Sequence, residues 1–527
     1  ASNGEVRLSG AKINAEGNIR IEKQYAADPT PTVIAADDGT RGFELTAGGH
    51  VEILSDNINM ERGRIETDVG DVVLGRKGGN ATGNFRFVGV DEEDGIVAGS
   101  GIGLYAQNRD MYLEKLLITA EGSVEILTNN FSLNRSALGE SALGGSGIYI
   151  AADGDVLLTG SVLTHEDNFH LQTNGRVELD GLSVSVADSM RIERLNASGA
   201  APVVVANDFT ISAENHVEIF SNAIDIEHGQ ITTVSGHITL GNSGENATEN
   251  FRFVGMELGE GLNAGGGIAI YARGKDAYLE QLDITAAEGV VMVARDFTLE
   301  RGADGESSVS ADAFYLQATG DVKLTGDLIT ATGDFLVAAN QAVLLEGARI
   351  QAGHYLRVEQ LNPSLSAPAV TAREGGGRGF LLAADGEVAL LSDAIDLQGG
   401  KIVTVSGPVI LGRRGEDATG DFRFVGVDAG DGIYSADSLG IYARGKNVLL
   451  ENLRVESLTL TEIVANDFSI ANPASTVSIG GFDLAATGDI HLTGDLTATN
   501  GDWHMVSNAD VHIEDMRLSA AGSIWLE

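Results

Sequence analysis

Cysteine is absent from this 527-residue chain, which excludes a disulfide framework, a thiolate metal site and a cysteine nucleophile. Proline is scarce, at 7 residues, and basic residues are few, 34 Lys and Arg against 76 Asp and Glu. The formal charge of −42 repels polyanions, so neither nucleic acid nor an anionic membrane surface is expected as a partner. No run of ~18 apolar residues is present to cross a membrane. The opening "ASNGEVRLSG" has no charged segment leading into an apolar one, so neither a signal peptide nor membrane insertion is expected. Catalytic signatures are missing as well. There is no Gly-x-Ser-x-Gly, "HEDNFH" at 165–170 is not His-Glu-x-x-His, and "GSGIG" at 99–103 lacks the lysine and the helix of a phosphate loop.

Glycine is abundant, at 69 residues, in a chain that is 43 % apolar. That balance suits a folded, turn-rich protein rather than a disordered acidic tail. The turns are regularly placed. "NFRFVGV" at 84–90 returns as "NFRFVGM" at 250–256 and as "DFRFVGV" at 421–427. Val6, Val177, Val343 and Val511 mark one phase, with separations of 171, 166 and 168 residues. A long repeat of about 168 residues follows, dividing the chain into 1–171, 172–337, 338–505 and the start of a fourth copy at 506–527. The C-terminal "NADVHIEDMRLSAAGSIWLE" matches the N-terminal "ASNGEVRLSGAKINAEGNIRIE", which reads as a segment cut from a longer protein.

A shorter beat runs inside the long one. Val51 to Val72, Val156 to Val177, Val217 to Ile238, Val322 to Val343, Val388 to Val409 and Ile490 to Val511 are all 21 residues apart. In "GDVLLTG", "GDVKLTG" and "GDIHLTG" the outer apolar positions persist while Leu157, Lys323 and His491 vary between them. Alternate side chains of a strand point to opposite faces, so the constant pair faces a core and the variable residue faces water. Strands this short bury little alone, and a fixed beat lets each coil stack on the last. The expectation is an all-β chain: a right-handed parallel β-helix, or β-solenoid, with coils of about 21 residues. It is continuous over 1–527, since no linker marks the repeat boundaries. At ~4.8 Å per coil it predicts a rod roughly 100 to 120 Å long.

Two places in each repeat break the beat in phase. One carries Pro31, Pro202 and Pro368, which leave the sheet as loops because proline cannot donate to a ladder. The other follows the opening phrase and holds Asp91 with Asp94, Glu257 with Glu260, and Asp428 with Asp431, each pair followed by Gly. These six carboxylates are the candidate metal ligands; no cofactor is expected, and calcium, which takes six to eight oxygens, is the one candidate the pattern offers. An ordinary solvated turn accounts for the same residues, and neither the EF-hand nor the Gly-Gly-x-Gly-x-Asp pattern is complete. Asn80 and Asn246 begin Asn-Ala-Thr, replaced by Asp417 in the third copy, an exchange that fits a turn residue. Phe169, Phe335 and Trp503 share one phase, and Tyr105, Tyr271 and Tyr442 another; internal aromatic stacks are expected for both. Asp37 with Asp38, and Arg191 in "RIE", are the nearest to an acid–base group. A catalytic site is normally unique whereas this chain repeats itself, so no enzyme activity is expected.

The alternation of "ADGDVLLTG", "ATGDVKLTG" and "ATGDIHLTG" with "AEGSVEIL" and "AAGSIWL" resembles the rod portion of secreted exoproteins of the filamentous haemagglutinin and two-partner secretion type. The resemblance covers essentially the whole chain, although the Asn-Pro-Asn-Gly signature of the family's secretion domain is not found. It implies a right-handed β-helical rod outside a Gram-negative cell or on its surface. Such a rod attaches to cells, host surfaces or matrix polysaccharide, with the flanking regions of its own longer chain as further partners. The alternatives are a β-helical polysaccharide-active enzyme and a self-assembling extracellular filament subunit.

Overall fold

Apolar residues at every second position, bounded by Gly, Asn and Asp, give short strands and little else. The computed structural model describes residues 1–36, 39, 42–135, 141–302, 307–471 and 476–527, and among these every regular element is a strand. Two compact units share the chain, one of Ala1–Phe253 with Glu260–Gly266, the other of Val254–Gly259 with Gly267–Glu527. The division falls inside the second repeat. Each unit is a parallel β-solenoid, and together they hold about 22 turns.

A turn has three sides. In the first unit Thr32–Ala35, Phe43–Ala47 and Val51–Ile53 make one turn, and each pairs in parallel with the strand three further on: Val33 with Ile58, Leu45 with Ile65, Val51 with Val72. In the second unit Val322–Leu324, Asp327–Thr330 and Phe335–Ala339 pair likewise, Val322 with Val343, Leu328 with Ile350 and Phe335 with Leu356. All six 21-residue steps of the sequence are stacked partners in these ladders. Other coils lengthen by the loops they carry. Val6 to Val33, Val177 to Val204 and Val343 to Val370 span the proline loops. Seven coils separate Val6 from Val177 in the first unit, and seven separate Val343 from Val511 in the second.

Each unit's core is the inside of its own coil. Val156, Leu158, Val322 and Leu324 are buried, while Leu157 and Lys323 are partly exposed. Each buried aliphatic side chain contributes roughly 1.5–3 kcal/mol. Phe85 and Phe87 point inward and Arg86 outward, where it meets Asn59 and Glu61 of the previous coil. Phe169, Phe335 and Trp503 are fully buried, with Phe314 stacked on Phe335 at 4.7 Å and Phe482 tilted against Trp503 at 4.3 Å.

The corners carry a second ladder. A polar side chain just before a strand accepts the backbone N–H one coil further on: Asn130 from Asp155, Asp155 from Arg176, Asp467 from Asp489, Asp489 from Asp510. Turn N–H groups that the strands leave unpaired are satisfied this way.

Candidate functional site

The acidic loops follow the Phe-Arg-Phe strands, and their second carboxylate is a backbone cap. Asp94 is buried, and its Oδ2 accepts from the N–H of Val90 (2.7 Å) and of Asp91 (2.8 Å). Asp431 repeats this with Val427 (2.8 Å) and Asp428 (2.8 Å). The next residue must be glycine. Gly95 and Gly432 have φ of 150° and 155°, and a Cβ there would lie 1.9 Å from the Leu117 oxygen and 1.8 Å from that of Arg454. The acidic-x-x-acidic-Gly pattern is thus a turn that closes on itself and feeds the next strand. The first carboxylate faces outward: Asp91 accepts from Arg62 Nε at 3.0 Å. Asp91 and Asp94 border a recess of about 470 Å³, within which Lys12 pairs with Glu44 at 2.7 Å and Arg64 with Glu66 at 3.0 Å. In the second repeat, Glu260 of the first unit lies 3.8 Å from His228 Nδ1, and Glu257 of the second unit is exposed. Among the described residues no three His, Cys, Asp or Glu side chains converge as a metal centre.

The other motifs resolve as follows. Asn80 Oδ1 accepts from Asn108 Nδ2 at 2.6 Å within an exposed turn. Arg191 binds Glu193 (2.8 Å) and Glu218 (3.2 Å) and lies over the Phe220 ring, and His170 Nε2 contacts Glu193 at 3.0 Å. Burial pushes the Glu193 carboxyl up, but hydrogen bonds from Gln172, Arg191 and His170, with the charge of Arg191, together outweigh it and hold the group below its usual range. Asp37 and Asp38 lie outside the described residues.

Three features were hidden in the sequence. The first holds the proline loops. Ser55 Oγ donates to the carbonyl of Pro31, Ser221 to that of Pro202 and Ser392 to that of Pro368, each at 2.6 Å, and all three serines are buried. They share one phase of the long repeat, a signal that was readable. The second lies in a recurrent excursion just ahead of the opening phrase. Asp56 takes Nε and Nη2 of Arg76, both at 2.6 Å, and Asp393 takes those of Arg413 at 2.7 and 2.6 Å; both aspartates are buried.

The third corrects the expected tyrosine stack. Tyr105 and Tyr442 alternate with the inward residues of their strands and lie on the outer face, over Gly103 and Gly440. Their hydroxyls donate to Glu125 and Glu462 at 2.7 Å. Lys77 and Arg414 cover them at 5.9 Å from the ring centre and pair with the same glutamates. Desolvation, then the glutamate, pushes the Tyr442 hydroxyl up to about 12 and Tyr105 further in the same direction.

The second unit also carries a half-open groove of about 650 Å³ along one corner, bordered by Asp334, Tyr355, Asp385, Glu387 and Pro408. No protein-family model matches the chain, and no curated protein matches its sequence.

Proposed function

We propose that the chain is a non-catalytic segment of a large secreted or cell-surface bacterial adhesin, outside the cell, that attaches it to other cells, host surfaces or matrix polysaccharide. The observation carrying this reading is the threefold construction of the surface loops: one buried serine fixes the proline loop in every repeat, so equivalent loops are presented again and again. Such an array suits multivalent attachment, where weak contacts add through effective concentration. The net charge of −42 keeps such a surface soluble and discourages association with itself. The resemblance to two-partner secretion exoproteins points the same way.

Beads coated with the purified chain should bind cells or extracted matrix polysaccharide, and coating at half density should reduce binding by more than half. Binding equal to that of beads coated with an unrelated acidic protein would sink the proposal.

A further inference from the structure

We propose that the groove beside Tyr355 is a saccharide site, open to a neutral or amino-sugar chain and closed to acidic ones. The groove runs across the ends of four stacked strands that begin at Phe335, Leu356, Val388 and Val409. Coils are spaced at ~4.8 Å, close to the length of one sugar ring in an extended chain, so successive rings meet successive coils. Its volume of about 650 Å³ lies within the range of small-ligand sites.

The wall has the chemistry a sugar needs. Tyr355 is 44 % exposed, and its ring offers an apolar face to the C–H side of a pyranose. The ring is held in place: its neighbour His354 packs on it at 3.6 Å, and Asp334 Oδ1 takes both His354 Nδ1 (2.8 Å) and the Tyr355 N–H (3.3 Å). Gly386 beside the ring and Gly407 on the next coil carry no side chains, which is why there is room. Asp385 borders the groove, and Glu387 lies 4.0 Å from Arg357. Their oxygens accept from sugar hydroxyls or a protonated amine. Five carboxylates border the groove against Arg357 and His354, so a uronate or sulfated chain is repelled.

The groove also breaks the repeat. At the phase of Tyr355 the other copies have Asn18, Ser189 and Ser523, and at that of His354 they have Gly17, Asp188 and Gly522. The same strands stack in those copies, so the fold does not require this aromatic pair.

Calorimetry of the whole chain with a neutral β-1,4-glucan tetramer, its 2-amino counterpart and a tetragalacturonate tests the assignment. The first two should bind and the third should not. Tyr355→Ser, which installs the residue that two of the other copies have as Ser189 and Ser523, should weaken both by about tenfold or more at unchanged melting temperature. Asp385→Asn with Glu387→Gln should weaken the amino tetramer more than the neutral one. Binding indifferent to Tyr355→Ser, a preference for the galacturonate, or no heat from any tetramer at millimolar concentration would overturn the proposal. The site rests on the attachment reading, so Tyr355→Ser is also run on beads. Tetramer binding by a chain that attaches to nothing overturns attachment alone. Attachment without tetramer binding overturns the groove alone.

Discussion

The first and third repeats differ from the second at one cluster of equivalent positions. Asp56, Arg76, Lys77, Gly103 and Glu125 in the first repeat correspond to Asp393, Arg413, Arg414, Gly440 and Glu462 in the third, and to Asn222, Asn242, Ser243, Ala269 and Val291 in the second. The ion pairs and the tyrosine cover are present as sets in the two outer repeats. In the second, Arg194 pairs with Glu245 at 2.5 Å instead. The loop backbone is nonetheless anchored alike: Asp56, Asn222 and Asp393 each accept at their carbonyl oxygen two N–H groups of the excursion, from Thr82 and Gly83, Thr248 and Glu249, and Thr419 and Gly420. Backbone bonds thus fix the path of the excursion, as the buried serine fixes that of the proline loop, and the charges are a module fitted onto it. The module changes as a whole because a buried ion without its partner costs several kcal/mol.

That comparison can be broken in order of expected effect. Gly95→Ala and Gly432→Ala strike the shared frame and should each cost about 3 kcal/mol or more, because the new Cβ meets a carbonyl oxygen; urea unfolding of both variants checks that the losses match. Asp393→Ala strikes the module and strands Arg413, which retains Glu416 and Gln360, so about 2–3 kcal/mol is expected. Asp393→Asn combined with Arg413→Asn, the pair of the second repeat, should recover most of that loss, and failure to recover would show that the charges also set the path. Ser55→Ala, Ser221→Ala and Ser392→Ala should each cost about 1–2 kcal/mol by orphaning buried carbonyls. A clear inequality among the three, measured by amide exchange at the proline loops, would end the idea of a common frame.

The smallest effect is spectroscopic. Tyr442 ionises near pH 12 in the folded chain, above the ~10 of an unfolded tyrosine. Its protonated form is therefore favoured by folding: the contribution is complete below about pH 10 and is lost as pH rises toward 12. Ultraviolet titration should show this phenol ionising late, and Glu462→Val, the residue of the second repeat, should bring it down. An unmoved titration would remove the glutamate from the account.

The parallel coils, their inward residues and the proline loops were legible because each is written in local alternation or in phase. Phe85, Phe87 and Arg86 could be assigned to faces from their order alone. The acidic loops were legible as loops but not in their wiring, since an aspartate that caps two N–H groups and one that binds a cation look alike in one dimension. Repetition signals packing and so points Tyr105 and Tyr442 inward, but stacking on an outer glycine repeats just as faithfully. The groove at Tyr355 is not legible in the repeat because His354 and Tyr355 are exceptions to its period.

The sequence by itself determined the short strands, the side that most of them bury and the phase of the proline and acidic loops, because side-chain alternation and stacking period are properties of neighbouring residues. Only the tertiary structure decided which charges meet, which carbonyl each serine holds and where an open groove remains. Lys77 finds Glu125 across 48 residues and Arg413 finds Gln360 across 53, distances that the coils close in space and that no local pattern encodes.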